Sequence, residues 1–272
     1  MKKKKKSNFS YWWGFWVIFI LGLISIGFWQ KDKLKFYYSL YFKEYQHKKL
    51  TNTPYETERI NKIIKRYSDK TFGLDISHYQ RRKDILWDSL YINGVIPLEF
   101  IVLRATMGER GKDQNFHYFW KKAKERQLIR GAYHFYRPDE EPILQAQSFL
   151  KQVNLQSGDL LPVLDIEKLP KRKSQQQYLA DVKTWLNIVE KAYGKKPIIY
   201  TYYHFYKDYL RGKFDDYPLW LANYNNVSEP SNTDRWKIWQ FTEKGIVSGI
   251  NTKVDINVYN GSKREMKELL LD

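Results

Sequence analysis

Residues 160–167 read LLPVLDIE, an apolar run that ends in two carboxylates set two positions apart. Side chains alternate along a strand, so Asp165 and Glu167 share one face, with their bases about 6.6 Å apart. Runs of the same kind recur on both sides of it: FGLDIS (72–77), FIVLRAT (100–106), RGAYHFY (130–136), PIIYTYY (197–203), LWLANY (219–224), WKIWQF (236–241) and VDINVY (254–259). Each is apolar nearly throughout, the pattern of a strand covered on both faces.

Between the early runs lie segments with helical periodicity: 84–93 (DILWDSLYIN), 115–127, 141–153 and 175–193, with a weaker fifth over 204–212. The last two connections carry turn residues and no helical period. The order is thus five strand–helix repeats followed by three strands with little between them, which predicts a closed α/β barrel. Phe72 to Gly261 is shorter than the roughly 250 residues of a regular eightfold barrel, and the missing late helices account for the deficit. A doubly wound open sheet is the alternative, but no Gly-rich phosphate loop supports a nucleotide site.

In such barrels the C-terminal ends of the strands carry the site. The acids there are Asp75, Asp165 and Glu167, with Asp255 at the start of the eighth strand. Closure sets strand eight against strand one, so all four are expected at one mouth. Crowded, desolvated carboxyls push one another's pKa upward, which leaves a protonated acid beside an ionised partner. That is the equipment for cleaving a glycosidic bond. The bland reading is that the acids cap strand ends or pair with Arg104, Arg130 or Arg137. A metal site is the other reading, but no D-x-D-x-D-G loop is present and the five His lack ligand spacing. Neither metal nor cofactor is expected. Absence of Cys excludes disulfides, thiolate metal sites and a thiol nucleophile.

The ordered set FGLDISHYQ, RAT-x-G, RGAYHFYRP, LPVLDIE, WLANY and WQF…VDIN resembles glycoside hydrolase family 25, the N-acetylmuramidase lysozymes, over about residues 72–261. The resemblance implies a modified TIM-like (β/α)5(β)3 barrel and hydrolysis of the β-1,4 bond between N-acetylmuramic acid and N-acetylglucosamine in peptidoglycan. It implies Glu167 as general acid and Asp165 as its partner, stabilising charge or orienting the substrate N-acetyl group. Asp75 and Asp255 would be the further acids. Tyr133, Tyr200 and Trp239 match aromatic positions near the substrate groove. Where the family often has an acid or amide after R-A-T, this chain has Met107, so the groove is expected to differ there.

The chain carries a net charge of +17, and residues 1–69 hold 15 Lys and Arg against 5 Asp and Glu, or +10 of it. This skew points to a membrane surface rather than a nucleic-acid face. Lys2 to Lys6 precede Tyr11 to Trp29, which are 19 residues without charge. As a helix these span about 28 Å, close to a bilayer core. Five lysines before the span place the N-terminus in the cytoplasm. A cleaved signal peptide competes, but no A-x-A site follows. The expected organisation is a basic tail (1–10), a single-pass transmembrane helix (11–29), a stem (30–70) and an extracytoplasmic barrel domain (71–272), in the periplasm or at the cell exterior. Its partners are peptidoglycan and the membrane, with no nucleic acid, and the protein is expected to be a monomer.

Overall fold

Eight strands form the wall of the barrel: β1 (Thr71–Ile76), β2 (Phe100–Met107), β3 (Ile129–Phe135), β4 (Val163–Asp165), β5 (Ile198–Tyr202), β6 (Leu219–Ala222), β7 (Trp236–Gly245) and β8 (Val254–Tyr259). The structure is a computed structural model. It describes residues 50–224, 230 and 234–272, together with Trp13, Gly14, Trp16 and Val17. Strands β1 to β7 pair in parallel where they are neighbours in the ring, and β1 meets β2 directly. Strand β8 runs antiparallel to both β7 and β1 and closes the barrel. Because β8 is reversed, its first residues lie at the same mouth as the last residues of β1. The register pairs Asp75 with Asp255.

Alternation divides each strand between two apolar layers. Phe100, Val102, Val163, Ile198, Trp220 and Ile238 belong to the interior cluster, closed below by Leu160, Met266 and Leu269. Phe72, Leu74, Ile101, Leu164, Ile199, Leu221 and Trp239 belong to the outer cluster, beneath the helices. Gly73 is required by this packing. A Cβ there would lie 2.4 Å from the Phe100 ring, inside any tolerable contact.

Three helices cover the outer layer: α2 (Phe116–Glu125), α3 (Pro142–Gln152) and α4 (Gln175–Tyr193), each within the segment whose periodicity predicted it. In α4 the N-cap Ser174 accepts from Gln177 N, and Gly194 takes the left-handed conformation (φ 71°) that ends the helix. Its buried stripe Tyr178, Val182, Trp185, Leu186 and Val189 has helical spacing. On β3, His134 faces this layer, stacked on Trp185, with its nitrogens bonded to Thr106 and Gln145. Burial pushes its pKa down to about 4, so this imidazole is a neutral structural group.

Two segments differ from expectation. Residues 84–93 do not form a helix. They make two 3-10 turns, Arg82–Asp84 and Trp87–Ser89, followed by the short strand Tyr91–Ile92. That strand joins Ile96–Pro97 and Val247–Ser248 in a separate three-stranded sheet. The backbone bonds of this segment go to the facing hairpin instead of to a helical turn: Leu86 N donates to Gly249 O at 2.7 Å and Asn251 N to Asp84 O at 2.9 Å.

The second segment is the end of the expected stem. Pro54–Arg66 is a helix, α1, whose N-cap Thr53 and Glu56 form a reciprocal capping box, with Lys65 and Arg66 in its last turn. Its Ile60, Ile63 and Ile64 are buried in the outer cluster. Asn52 donates to Lys244 O, Arg59 to Phe241 O, and Lys244 pairs with Glu56. This helix, inside the stretch expected as stem, thus packs on the barrel. The weak fifth helix is present as a helical turn, Tyr203–Phe205, running into π-helical Tyr206–Leu210. No helix among the described residues is long and apolar enough to cross a membrane. The span 11–29 lies outside the described residues, apart from the four named above.

Candidate functional site

The mouth is made by inward-facing residues at the upper ends of the strands. Asp75 of β1 stands beside Asp255 of β8, and Asp165 of β4 stands beside Tyr200 of β5. Strand β4 is short because Pro162 has no N–H to give to a ladder. Its extended path continues past Asp165, where Ile166 N donates to Tyr200 O at 2.9 Å. This continuation lifts Glu167 to the rim. Asp75 and Asp165 are buried, at 7% and 5% exposure, whereas Glu167 and Asp255 are half-buried.

Asp75 Oδ2 accepts two hydrogen bonds, from Gln240 Nε2 and from Asn257 Nδ2, each 2.7 Å long. Asp75 and Asp255 also interact electrostatically with each other, as do Asp165 and Glu167.

Burial raises the pKa of all four acids, because removal from water penalises the charged form. Glu167 is pushed up to about 7, with the charge of Lys168 opposing the rise and that of Asp75 adding to it. Asp75 rises to about 6, held there by the donors from Asn257 and Gln240. Asp165 and Asp255 rise well above the carboxylate range. For Asp165 the causes after burial are the charges of Glu167 and Asp75, and for Asp255 the charge of Asp75. The mouth therefore holds both protonated and ionised carboxyls near neutral pH.

Tyr133 and Tyr200 face this cluster. Burial and the charges of Asp75 and Asp165 push both phenols well above their ordinary pKa, so both stay neutral. Tyr200 packs edge-on against Trp220, with ring centroids 4.9 Å apart. Trp239 is not at the mouth. It is 1% exposed in the outer layer, packed against Tyr67, Trp236 and Phe241, and its Nε1 donates to Asn223 O at 3.0 Å. Alternation explains the correction: Trp239 faces out because its neighbour Gln240 faces in.

Gln240, Asn257 and Tyr224 are mouth residues that the motifs contained without a role being read from them, and Arg104, named above as a possible partner of the acids, is at the mouth too. Tyr224 donates to Gln240 Oε1 at 2.6 Å. Arg104, paired with Asp113 at 3.4 Å, lays its charge beside Asp165 and Tyr133. Asn257 could have been found by parity, two residues after Asp255 on one strand. Met107 is half-buried, and Arg137 Nη2 lies 3.8 Å from its sulfur. No group of three or more His, Cys, Asp or Glu among the described residues is arranged to hold a metal.

Comparison with known proteins gives a consistent picture. The profile of glycosyl hydrolases family 25 matches residues 74–250. YegX of Escherichia coli CFT073, itself uncharacterised, is 36% identical over 250 residues, covering 91% of this chain and 90% of its own. Lysozyme M1 of Streptomyces globisporus is 31% identical over 211 residues, covering 72% of this chain and 70% of its own. Among solved structures, the bacterial lysozyme of Streptomyces coelicolor superposes with a TM-score of 0.64 at 28% identity, over 74% of this chain and 97% of that one.

Proposed function

The chain belongs to glycosyl hydrolases family 25, and from that premise we propose that it is a membrane-anchored muramidase. As a member it is a glycoside hydrolase. The proposed substrate is the β-1,4 bond between N-acetylmuramic acid and N-acetylglucosamine in peptidoglycan. One observation carries the reading: acids from three distant stretches of chain meet at one mouth, with Asp75 set opposite Asp255 and Asp165 within reach of the charge of Glu167.

In this mechanism Glu167 is the general acid. It stands at the rim with its pKa raised to about 7, so it holds a proton where a leaving sugar oxygen can take it. As the bond to that oxygen breaks, positive charge develops at the muramic acid C1 and ring oxygen. The negative charge of Asp75, the buried acid with a pKa of about 6, favours that state over the ground state. Asp165, beneath Glu167, stabilises that charge or orients the substrate acetamide. Tyr133 and Tyr200 supply neutral ring faces for the sugar. Water completes the reaction at C1 and restores the proton to Glu167.

The anchor is the uncharged span 11–29, with the lysine run on its cytoplasmic side. It would place the barrel outside the membrane, next to the wall. The test uses the full chain in membranes. Wild type is expected to release reducing ends from purified peptidoglycan and to resist extraction by salt and alkali. Glu167→Gln is expected to stay membrane-bound and to release none. Undiminished release by that variant would overturn the assignment of the acid, and extraction by salt alone would overturn the anchor.

A further inference from the structure

Five hydrogen bonds run up the barrel interior and end on one oxygen atom. Trp220 Nε1 lies 2.9 Å from Asn257 Oδ1, and Asn257 Nδ2 lies 2.7 Å from Asp75 Oδ2. From the other side, Tyr200 and Tyr224 donate to Gln240 Oε1 at 2.8 and 2.6 Å, and Gln240 Nε2 reaches the same Asp75 Oδ2 at 2.7 Å. An indole N–H can only donate. The amide oxygen of Asn257 must therefore face Trp220, and its NH2 must face Asp75. With two N–H donors on Oδ2, both lone pairs of that oxygen are taken and a proton has no place on it.

We propose that Gln240 and Asn257 are positioning residues that hold Asp75 as the ionised member of the Asp75–Asp255 pair, leaving the shared proton on Asp255. Among the described residues Asp255 meets no comparable pair of amides. It faces Asp75 and the charges of Glu243 and Glu167 instead, all of which favour its neutral form. The remaining groups around the pair are Arg104 with Asp113 from the β2 side, Tyr133 from β3, Asp165 and Lys168 from β4, and Tyr200 and Tyr224 from β5 and β6.

The consequence for the reaction is indirect and depends on the muramidase reading. An ionised Asp75 disfavours the anion of Glu167, so the amides help to keep the proton on the acid without touching substrate. Removing either donor weakens the Asp75 anion and loosens that hold.

The test is a carboxyl 13C titration of the full chain in detergent micelles, with labelled aspartate and signals assigned against Asp75→Asn and Asp255→Asn. In wild type, the lower-pH transition of the pair is expected on Asp75. Asn257→Leu and Gln240→Met are each expected to move that transition upward by about one pH unit, the size of a hydrogen bond to a charged group. Trp220→Phe, which frees Asn257 to turn, is expected to move it the same way by less. A lower transition on Asp255, or an unmoved Asp75 in variants that keep a cooperative melting transition, overturns the proposal. If the amide variants do not fold, the wild-type assignment decides alone. The titration needs no activity, so a wild type that leaves peptidoglycan intact while titrating as expected refutes the muramidase reading and not this one.

Discussion

Replacing Glu167 by Gln should raise stability at alkaline pH while removing activity, and the two effects have one cause. The Glu167 pKa lies at about 7 in the folded protein against 4.5 in an unperturbed chain. Between those values the native state binds protons that the unfolded state has released, so stability falls as pH rises from 4.5 to 7. Above pH 7 the full penalty is present, about 3 kcal/mol by the pKa difference. Glutamine carries no charge to desolvate, but its interaction with Asp165 is weaker in compensation, which leaves a net gain of about 2 kcal/mol. In a unit of this size that corresponds to roughly 4–8 °C in Tm. The assay is thermal denaturation of both proteins at pH 4.5 and pH 8, beside release of reducing ends. The variant should melt higher at pH 8, melt alike at pH 4.5 and cut at least 100-fold more slowly, about the minimum contribution of a general acid. An equal Tm difference at both pH values would show that Glu167 is not a strained, desolvated acid.

Three further outcomes follow from the packing. Trp239→Phe should cost about 1–3 kcal/mol in denaturant unfolding through lost packing and leave kcat/KM on peptidoglycan near wild type, because this ring lies behind the wall. Ile64→Ala, within the helix first read as stem, should destabilise the barrel by about 2–5 kcal/mol, as measured by the same unfolding curve, since Ile64 is 3% exposed in the outer cluster. Gly73→Ala forces a methyl group against the Phe100 ring, and a loss of about 1–3 kcal/mol or more is expected from overpacking, read as a lower Tm.

The barrel was legible because its signal is local. Eight apolar runs and their order fix the ring, and the reversal of β8 explains why an acid at the start of VDINVY joins one near the end of FGLDIS. The acids were legible for the same reason, since Asp165 and Glu167 sit on one strand face by parity. The amides were less visible. Gln240 and Asn257 do not titrate, and their importance arises only from contact with Asp75 across 165 and 182 residues of sequence. Trp239 was misplaced because an aromatic residue within a motif reads the same whether it faces the mouth or the helices. Residues 84–93 show an apolar spacing that fits a helix, yet their bonding partners lie in the 247–251 hairpin, a distant segment that periodicity does not sense. The stripe of Ile60, Ile63 and Ile64 has helical spacing, but its partners in the outer cluster lie far along the chain.

The most direct measurement is mass spectrometry of the sugars left at new reducing ends after wild-type protein and the Glu167→Gln variant act on purified peptidoglycan. Cleavage at the muramic acid C1 predicts N-acetylmuramic acid at every new end with wild type, and none with the variant. N-acetylglucosamine at the new ends, or muramic acid ends produced equally by both proteins, would contradict the assignment of bond and acid.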